Sequence, residues 1–219
     1  MHATAPIPAI DLLIFPFNGN GQEALDCVGS AYRVLGFVDD APGARSRSYP
    51  FDVMTCRAFA AWPAAAVLAV PGSPDTYLQR RTIIEGLGLA PARFARVVHP
   101  SARVSPFATL GRNVLIMAGA VVTANAVIGD HVCILPNTVV HHDVVIGAWS
   151  LVGSNVTLAG HVHLGENCYV GSGTSIKNHV SVGAGSLVGL GSNVTRDVPA
   201  AVRVAGNPAV VLGAHLRSL

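Results

Sequence analysis

A short polar cluster interrupts an aliphatic part of the chain at HHDVVIG, residues 141–147. A neutral imidazole can accept a proton near neutral pH, and a neighbouring carboxylate can fix its tautomer and support the imidazolium that forms. A histidine of this cluster, His141 or His142, could therefore act as a general base beside Asp143. His161 follows Asp143 by 18 residues and offers a further imidazole. The alternative is that all these side chains are solvated turn residues.

The sequence around this cluster repeats with a period of six. A branched aliphatic residue occupies every sixth position from 98 to 194, which gives seventeen hexads without a miss. A small or β-branched residue follows four positions later, as at Ala120, and glycine often follows directly, as at Gly147. An unbroken repeat of this kind is typical of a solenoid, and six does not fit a helical period. We expect the aliphatic residue to fill the interior, the small residue to allow a corner, and the glycine to supply the dihedrals of the turn.

The sequence before the repeat alternates between two kinds of segment. Three apolar segments predict strands: IDLLIF (10–15), RVLGFVDD (33–40) and AAVLAVPG (65–72). Two segments predict helices: QEALDCVGSAY (22–32), and PDTYLQRRTIIEGLG (74–88), which starts with proline and ends with glycine. The alternation predicts a small parallel sheet with crossover helices. We therefore divide the chain into an α/β domain (1–95), a repeat domain (96–198) and a C-terminal tail (199–219).

Composition and charge exclude several classes of function. The formal net charge is +2 and the basic residues are scattered, so we expect no binding to nucleic acid or to an acidic membrane surface. Glycine, proline or polar residues interrupt every apolar run before it reaches membrane-spanning length, and no secretory signal is visible. The cysteines lack metal-binding spacing, which predicts reduced, mostly buried thiols of a cytoplasmic protein: Cys27, Cys56, Cys133 and Cys168.

A glycine-rich segment, GNGQEA (19–24), lies between the first predicted strand and helix. It fits the G-x-G-x-x-A form of a dinucleotide-binding loop, whose amides and helix N-terminus attract phosphate. Asp39 and Asp40 end the next predicted strand, where an acid that binds ribose would lie. A tight turn without a ligand is the structural alternative, and an NAD enzyme is a functional one. Against an NAD enzyme, the α/β region is only half a dinucleotide fold, and the repeat offers no site for hydride transfer.

The repeat resembles that of the hexapeptide-repeat acyltransferases, in which three hexads form one triangular coil of a left-handed parallel β-helix. Residues 18 apart should then stack, and seventeen hexads should give about six coils. The segment from Val204 to Ala209 also resembles the family's ending, Val-x-Gly-x-Pro-Ala. With a small Rossmann-like α/β domain ahead of the repeat, the chain is similar to the PglD/NeuD-type sugar acyltransferases. Those enzymes acylate amino sugars on nucleotide carriers, or sialic acids.

The resemblance implies a catalytic role for the polar cluster. Alignment on Ile146 and Gly147 puts His142 at the catalytic base and Asp143 at its carboxylate, with His141 as the main competitor for the base. The base would take a proton from an amine or hydroxyl as it attacks the thioester of an acyl-coenzyme A. Backbone amides of neighbouring coils would stabilise the oxyanion.

The resemblance also implies where the two substrates bind. The N-terminal domain would hold the nucleotide of the sugar, with altered contacts because Pro16 replaces a family glycine and an asparagine replaces the usual histidine. The residues expected to bind this substrate are Gly19, Asn20, Gly21, Asp39, Asp40 and His161. The residues expected to bind acyl-CoA are Leu151, Gly160 and Asn178. Leu151 stands where the family often has a second histidine, and His161 where its members usually have asparagine or glycine.

These observations predict an N-acyltransferase that uses acyl-CoA, with acetyl-CoA as the expected donor, and a nucleotide-linked amino sugar as acceptor. The resemblance implies a homotrimer with the acyl-CoA groove between adjacent β-helices, and no metal or redox cofactor. One alternative is an O-acetyltransferase that acts on a sialic-acid-like sugar. Another is a non-catalytic binding module. A metal site of the carbonic-anhydrase kind lacks its spaced ligands here, although His161, His163 and His179 form a loose set.

Overall fold

The computed structural model describes residues 9–41 and 50–214. Its N-terminal part is a four-stranded parallel sheet with helical crossovers. The order of the strands in the sheet is β3-β2-β1-β4. The strands are β1 (Ile10–Phe15), β2 (Tyr32–Val38), β3 (Val53–Met54) and β4 (Ala66–Ala69). The α-helices are α1 (Gly19–Cys27), α2 (Ala58–Ala61) and α3 (Arg80–Glu85), and two 3-10 turns span Tyr77–Gln79 and Pro91–Arg93. The predicted α/β arrangement is confirmed. Residues 1–8 and 42–49 of the predicted domain 1–95, and residues 215–219 of the predicted tail, lie outside the described residues.

The first strand and helix show how the local sequence sets this domain. Leu12, Leu13 and Ile14 are all fully buried, as expected of a central parallel strand covered on both faces. The helix after β1 begins at Gly19, three residues earlier than predicted, because the side chain of Asn18 accepts a hydrogen bond from the amide of Gly21 and caps the first turn.

The repeat folds into a left-handed β-helix, as predicted. Its strands, β5 to β21, have two residues each, and from β5 to β18 each pairs in parallel with the strand 18 residues further on, as Val127 pairs with Val145. The strands are Val97–Val98, Arg103–Val104, Thr109–Leu110, Leu115–Ile116, Val121–Val122, Val127–Ile128, Cys133–Ile134, Val139–Val140, Val145–Ile146, Leu151–Val152, Thr157–Leu158, His163–Leu164, Tyr169–Val170, Ser175–Ile176, Ser181–Val182, Leu187–Val188 and Asn193–Val194. They form the three faces of a prism, in sheets of five, six and eight strands, and the eight-stranded sheet includes two further strands from the C-terminal tail.

Two residues of each hexad point into the prism. The aliphatic residue of the repeat is buried, as at Ile146, and so is the small residue four positions later, as at Ser150. Burial of one such aliphatic side chain contributes about 1.5–3 kcal/mol, so the column of aliphatic residues supplies a continuous core. A polar small residue keeps its hydroxyl satisfied, since Ser150 donates to the carbonyl of Gly165 at 3.2 Å.

The glycine that follows the aliphatic residue has a different role from the predicted one. Gly129, Gly147 and Gly165 do not have positive φ angles, so the turn does not require glycine there. A Cβ on Gly147 would instead lie 2.5 Å from the backbone of the next coil. Glycine is therefore present because adjacent coils approach closely at this position.

Positive φ angles occur two residues after that glycine position. Asparagine, aspartate and histidine tolerate this left-handed conformation better than most residues. They fill most of the row, together with a tryptophan and glycines: Asn113, Gly119, Asn125, His131, Asn137, Asp143, Trp149, Asn155, His161, Asn167, Gly173, His179, Gly185 and Gly191. Asp143 and His161 of the polar cluster thus also have a backbone reason to be where they are.

The chain ends on the eight-stranded sheet. β22 (Val202–Gly206) pairs in parallel with β20, and β23 (Ala209–Ala214) pairs with β22 in the antiparallel direction. The N-terminal domain packs on the outer face of the same sheet, where Tyr77 shares a buried cluster with Leu151 and Tyr169. Within the described ranges, no helix is long and apolar enough to cross a bilayer.

Candidate active site

The best-formed pair of candidate catalytic residues lies at the prism edge between the six-stranded and five-stranded sheets. His142 Nδ1 is 2.8 Å from Asp143 Oδ2, and the side chains are 53% and 37% exposed. An ionised carboxylate can only accept hydrogen bonds, so Nδ1 carries the hydrogen and Nε2 keeps its lone pair. This is the tautomer that a general base requires.

The Asp143 carboxylate is held by two further neighbours from adjacent coils. Asn125 Nδ2 donates to Asp143 Oδ1 at 3.1 Å, and His161 Nε2 lies 3.9 Å from Oδ2. The hydrogen bond from His142 is the largest cause that lowers the pKa of Asp143, followed by the one from Asn125. The carboxylate therefore remains charged wherever a histidine base would work.

The next coil leaves room for the ring of the base. A Cβ on Gly160 would lie 2.7 Å from both Cε1 and Nε2 of His142. His161 stands edge-on to His142, with ring centroids 5.1 Å apart, and stacks on His179 at 4.6 Å. Glycine at 160 thus leaves space for Cε1 and Nε2 of the His142 ring.

The other histidines of the predicted cluster are placed differently. Among the described residues, His141 forms no side-chain contact with the Asp143 carboxylate, whereas His142 forms the close one. His163 lies exposed on the five-stranded sheet between Val145 and Ser181. The geometry therefore favours the pairing of His142 with Asp143.

The predicted nucleotide loop opens α1, but its two glycines differ. A Cβ on Gly21 would collide with the carbonyl oxygen of Pro16, so packing alone accounts for this glycine. A Cβ on Gly19 would meet nothing within 4 Å. The side chain of Asn20 donates to the carbonyl of Gly72 at 3.2 Å, which ties the loop to the segment after β4.

Only one of the two predicted acids lies at this loop. Asp39 Oδ2 accepts a hydrogen bond from the Phe17 amide at 3.0 Å, and Oδ1 accepts one from Ala41 at 2.8 Å. Asp40 turns instead to the amide of Cys56, at 3.1 Å. Asp39 is therefore the acid that a ligand at the loop could reach.

A cleft of about 310 Å³ separates the loop from the β-helix. Gly19 and Asn20 line one wall, and Leu151 and Tyr169 line the other. Leu151 is 2% exposed and packs in the interface between the domains, on the eight-stranded sheet. The prism edge that bears His142 is opposite this sheet. One chain thus brings the predicted site residues into two groups, one at the base and one at the cleft.

A row of side-chain contacts that was not predicted from the sequence fixes the N-terminal domain on the β-helix. This row follows the edge between the five-stranded and eight-stranded sheets. The amide group of Asn113 makes two hydrogen bonds to the backbone of Ala69, at 2.8 and 2.7 Å. Further along the edge, Tyr77 donates to the carbonyl of Gly185 at 2.8 Å.

Arg80 is the centre of this row. Its side chain is 1% exposed, and its guanidinium donates to the carbonyl oxygens of Trp149 at 3.0 Å, His131 at 2.7 Å and Pro71. Arg80 thus ties the segment that borders the cleft to two coils of the β-helix. The same arginine leaves no room for a side chain at position 72, since a Cβ on Gly72 would lie 2.9 Å from Arg80 Cγ.

His131 belongs to this interface and not to the catalytic cluster. Asn113 Nδ2 donates to His131 Nδ1 at 3.1 Å, and the imidazole stacks on Trp149 with centroids 3.9 Å apart. Burial lowers the pKa of His131 to about 4. The ring is therefore a neutral structural element at physiological pH.

The chain is similar to several solved sugar acetyltransferases. The family described as Bacterial transferase hexapeptide (six repeats) matches residues 125–160. The acetyltransferase domain of PglB from Neisseria gonorrhoeae FA1090 is 27% identical with a TM-score of 0.80, over 92% of this chain and 99% of that one. The chain is an acyltransferase. The predicted resemblance to hexapeptide-repeat sugar acyltransferases is confirmed.

Two further solved structures extend the likeness. PerB from Caulobacter crescentus, in complex with CoA and GDP-perosamine, is 27% identical with a TM-score of 0.79, over 96% of this chain and 100% of that one. WeeI from Acinetobacter baumannii AYE is 25% identical with a TM-score of 0.77, over 93% and 100% of the two chains. No curated protein sequence matches the chain. Since the comparisons identify an acyltransferase, the hypothesis of a non-catalytic module is set aside.

Proposed function

We propose that this acyltransferase transfers an acetyl group from acetyl-CoA to the amino group of a nucleotide-linked amino sugar, with His142 as general base. One observation carries the proposal. The 2.8 Å pair of His142 and Asp143 leaves Nε2 open beside Gly160, on a scaffold similar to solved sugar N-acetyltransferases. Caulobacter crescentus perosamine N-acetyltransferase has also been solved with one histidine replaced by asparagine or alanine, each time with CoA and GDP-perosamine.

In the reaction, the neutral sugar amine attacks the thioester carbon, and His142 Nε2 takes the proton that the nitrogen loses. The new C–N bond forms, the C–S bond breaks, and the proton passes from the imidazolium to the departing thiolate of CoA. Asp143 holds Nδ1–H and supports the imidazolium while it carries that proton. Chemistry of this type gains roughly two to four orders of magnitude from a positioned base.

The oxyanion can be bound by backbone amides above the base. Among the described contacts, the amides of Ala159 and His161 donate to the neighbouring coils, at 3.1 Å each, while the amide of Gly160 has no acceptor. The amide of Asn178, one coil higher, also has no acceptor among the described contacts. We assign the amide of Gly160 to the thioester oxygen, since preorganised donors stabilise developing charge. We assign the amide of Asn178 to the amide-rich arm of acyl-CoA. His161 stands beside them and contacts the acceptor sugar in this arrangement.

The nucleotide would occupy the cleft at the start of α1. Among the described contacts, the backbone amides of Gly19 and Asn20 have no acceptor, so they and the helix N-terminus can receive a diphosphate. Asp39 keeps acceptor capacity for a ribose hydroxyl, because each carboxylate oxygen has more than one lone pair. Gly21 supports this site by allowing α1 to pack on the loop, and Asp40 supports it by fixing the turn at Cys56.

The two groups of site residues argue for a homotrimer. The cleft lies on the eight-stranded sheet, whereas His142 lies at the opposite edge of the prism, so a sugar held in the cleft meets the base of a second copy. Val127 is 43% exposed on the five-stranded sheet beside that edge, which suits a contact with the second copy.

A panel of nucleotide amino sugars and acyl-CoAs, analysed by mass spectrometry, tests the proposal. We expect one amino sugar to gain the mass of an acetyl group, on nitrogen, and the matching free sugar to react far more slowly. Acetylation of hydroxyl groups on sialic acids, with no reaction on any nucleotide amino sugar, would replace the proposal with the O-acetyltransferase alternative.

A further inference from the structure

Three side chains with metal-binding donor atoms converge at the catalytic edge. His142, Asp143 and His161 each offer one donor atom, and these atoms lie within 4.8 Å of one another. Two of the separations are 2.8 Å, from Asp143 Oδ2 to His142 Nδ1, and 3.9 Å, from the same oxygen to His161 Nε2. Imidazole nitrogen with carboxylate oxygen is the donor set that Zn²⁺ accepts in proteins.

The scaffold presents these donors on a rigid frame. The amide of Asp143 donates to the carbonyl of Ala124 at 3.1 Å, and the amide of His161 donates to the carbonyl of His142, also at 3.1 Å. The backbone positions are therefore set by the ladder between coils. Donors around a tetrahedral Zn²⁺ are about 3.3 Å apart, given metal–ligand lengths of about 2.0–2.2 Å. The separations of 2.8 and 3.9 Å lie on either side of this value, and rotation of the exposed rings of His142 and His161 about their side-chain bonds can adjust both.

We propose that His142, Asp143 and His161 form a binding site for a divalent ion of the Zn²⁺ class, and that the bound ion switches the transferase off. The binding site stands on the geometry alone, whereas the inhibition rests on the proposed function. A metal ion bound at His142 Nδ1 displaces the hydrogen from that nitrogen, so the neutral ring carries its hydrogen on Nε2 and has no lone pair there for the proton of the amine. It also draws Asp143 away from its role as orienter of the base.

His161 is the residue that distinguishes such a site from a simple catalytic pair. Without it, one imidazole and one carboxylate remain, and two protein ligands hold zinc weakly compared with three. Its backbone is in the left-handed region with φ of 61°, where asparagine also occurs, as at Asn125 and Asn155. The His161→Asn substitution therefore removes a donor nitrogen and preserves the fold. His163→Asn is the matched control, since His163 is an exposed histidine outside the cluster.

The experiment measures metal binding and activity separately, on full-length protein without a histidine tag. Zn²⁺ is titrated calorimetrically, and Co²⁺ is followed by its visible absorption, which reports nitrogen and oxygen ligands. We expect one ion per chain in wild type and in His163→Asn, and affinity weaker by about tenfold or more in His161→Asn, since even supporting residues of metal sites cost that much. Equal affinity in wild type and His161→Asn, or no binding to wild type, overturns the site.

Activity is then assayed with EDTA and with added Zn²⁺. In wild type we expect full turnover in EDTA and loss of turnover at the Zn²⁺ concentration that saturates binding. His161→Asn should need about tenfold more Zn²⁺ to lose half of its own turnover in EDTA. Turnover that Zn²⁺ leaves unchanged, or that EDTA abolishes, overturns the inhibitory role. Metal binding by a protein that transfers no acyl group under any condition would contradict the proposed function and leave the metal site standing.

Discussion

The substitution Asp143→Asn isolates the contribution of the carboxylate to the base. Asp143 has a φ of 59°, and asparagine occupies the same left-handed position in other coils, so the variant should keep the fold. Its amide can donate to His142 Nδ1 in place of the carboxylate, which moves the ring hydrogen to Nε2. The base then presents a hydrogen where it should present a lone pair.

The magnitude follows from exposure. In the buried Ser-His-Asp triad of serine proteases, the equivalent change lowers kcat by about 10⁴-fold. Here the side chains of His142 and Asp143 are 53% and 37% exposed, so water competes for Nδ1 and both tautomers remain accessible. We therefore expect kcat to fall by about 10- to 1000-fold, with an unchanged dissociation constant for the sugar nucleotide.

The assay is the release of CoA thiol with a saturating sugar nucleotide, combined with calorimetry for its binding. Asp130→Asn is the matched control, because it makes the same change of charge at another edge of the prism, where Asp130 pairs with Arg112 at 3.2 Å. This control should stay within about twofold of wild type, as exposed ion pairs contribute little. A wild-type kcat for Asp143→Asn, or equal losses in the two variants, would refute the role of Asp143 as orienter.

Three other contacts can be tested by substitution. Gly160→Ala should lower kcat by about 10- to 100-fold, because its Cβ would lie 2.7 Å from the His142 ring; Gly29→Ala, where the nearest atom is 4.0 Å away, should leave turnover unchanged in the same assay. Arg80→Met should lower the free energy of unfolding by about 2–4 kcal/mol in urea, since three buried carbonyls lose a charged donor, and raise the KM for the sugar nucleotide more than it lowers kcat. The folded-state pKa of His131 is lowered to about 4, so the stability that the neutral ring contributes is complete above its ordinary pKa and declines as pH falls from there towards about 4. The free energy of unfolding of wild type should therefore fall by about 2 kcal/mol between about pH 7.5 and pH 5 because of this residue. His131→Asn should flatten that pH dependence, whereas an unchanged slope would contradict the neutral, buried ring.

Much of the β-helix could be predicted from the sequence because its interior depends on a simple period. The aliphatic residue of every hexad, such as Ile146, reports burial directly, and the stacking distance of 18 residues follows from three faces. The role of the glycine after it could not be inferred in the same way. Close approach of the backbone and an unusual φ both favour glycine, and only the coordinates separate the two causes.

The domain interface had a signal in the sequence that the six-residue period conceals. The outward residue of every third strand is apolar, as at Leu115, Leu151 and Tyr169, while the other faces carry more polar residues at that position. A period of 18 therefore indicates the face that the N-terminal domain covers. Arg80 offers no comparable signal, because its partners are three carbonyl oxygens whose positions depend on the folded interface.

From residue types alone, the sequence predicts the polar cluster that contains the base but not which histidine is the base. His141 and His142 are chemically equal in the sequence, and the resemblance to a family chose between them. In the structure, the turn directs His142 towards Asp143 and into the space left by Gly160, which supports the same choice. Leu151 was expected at the acyl-CoA site, and its place on the cleft wall depends on the domain packing that the hexad pattern does not describe.

The most direct test of the account compares His142→Ala and His141→Ala with wild type in acetyl transfer from acetyl-CoA to the nucleotide amino sugar. We expect His142→Ala to lose roughly two to four orders of magnitude in kcat while it binds the sugar nucleotide as wild type does. His141→Ala should retain its turnover within a few-fold, since His141 does not touch the Asp143 carboxylate among the described contacts. Turnover by His142→Ala at the wild-type rate, or a large loss confined to His141→Ala, would contradict the assignment of His142 as the base.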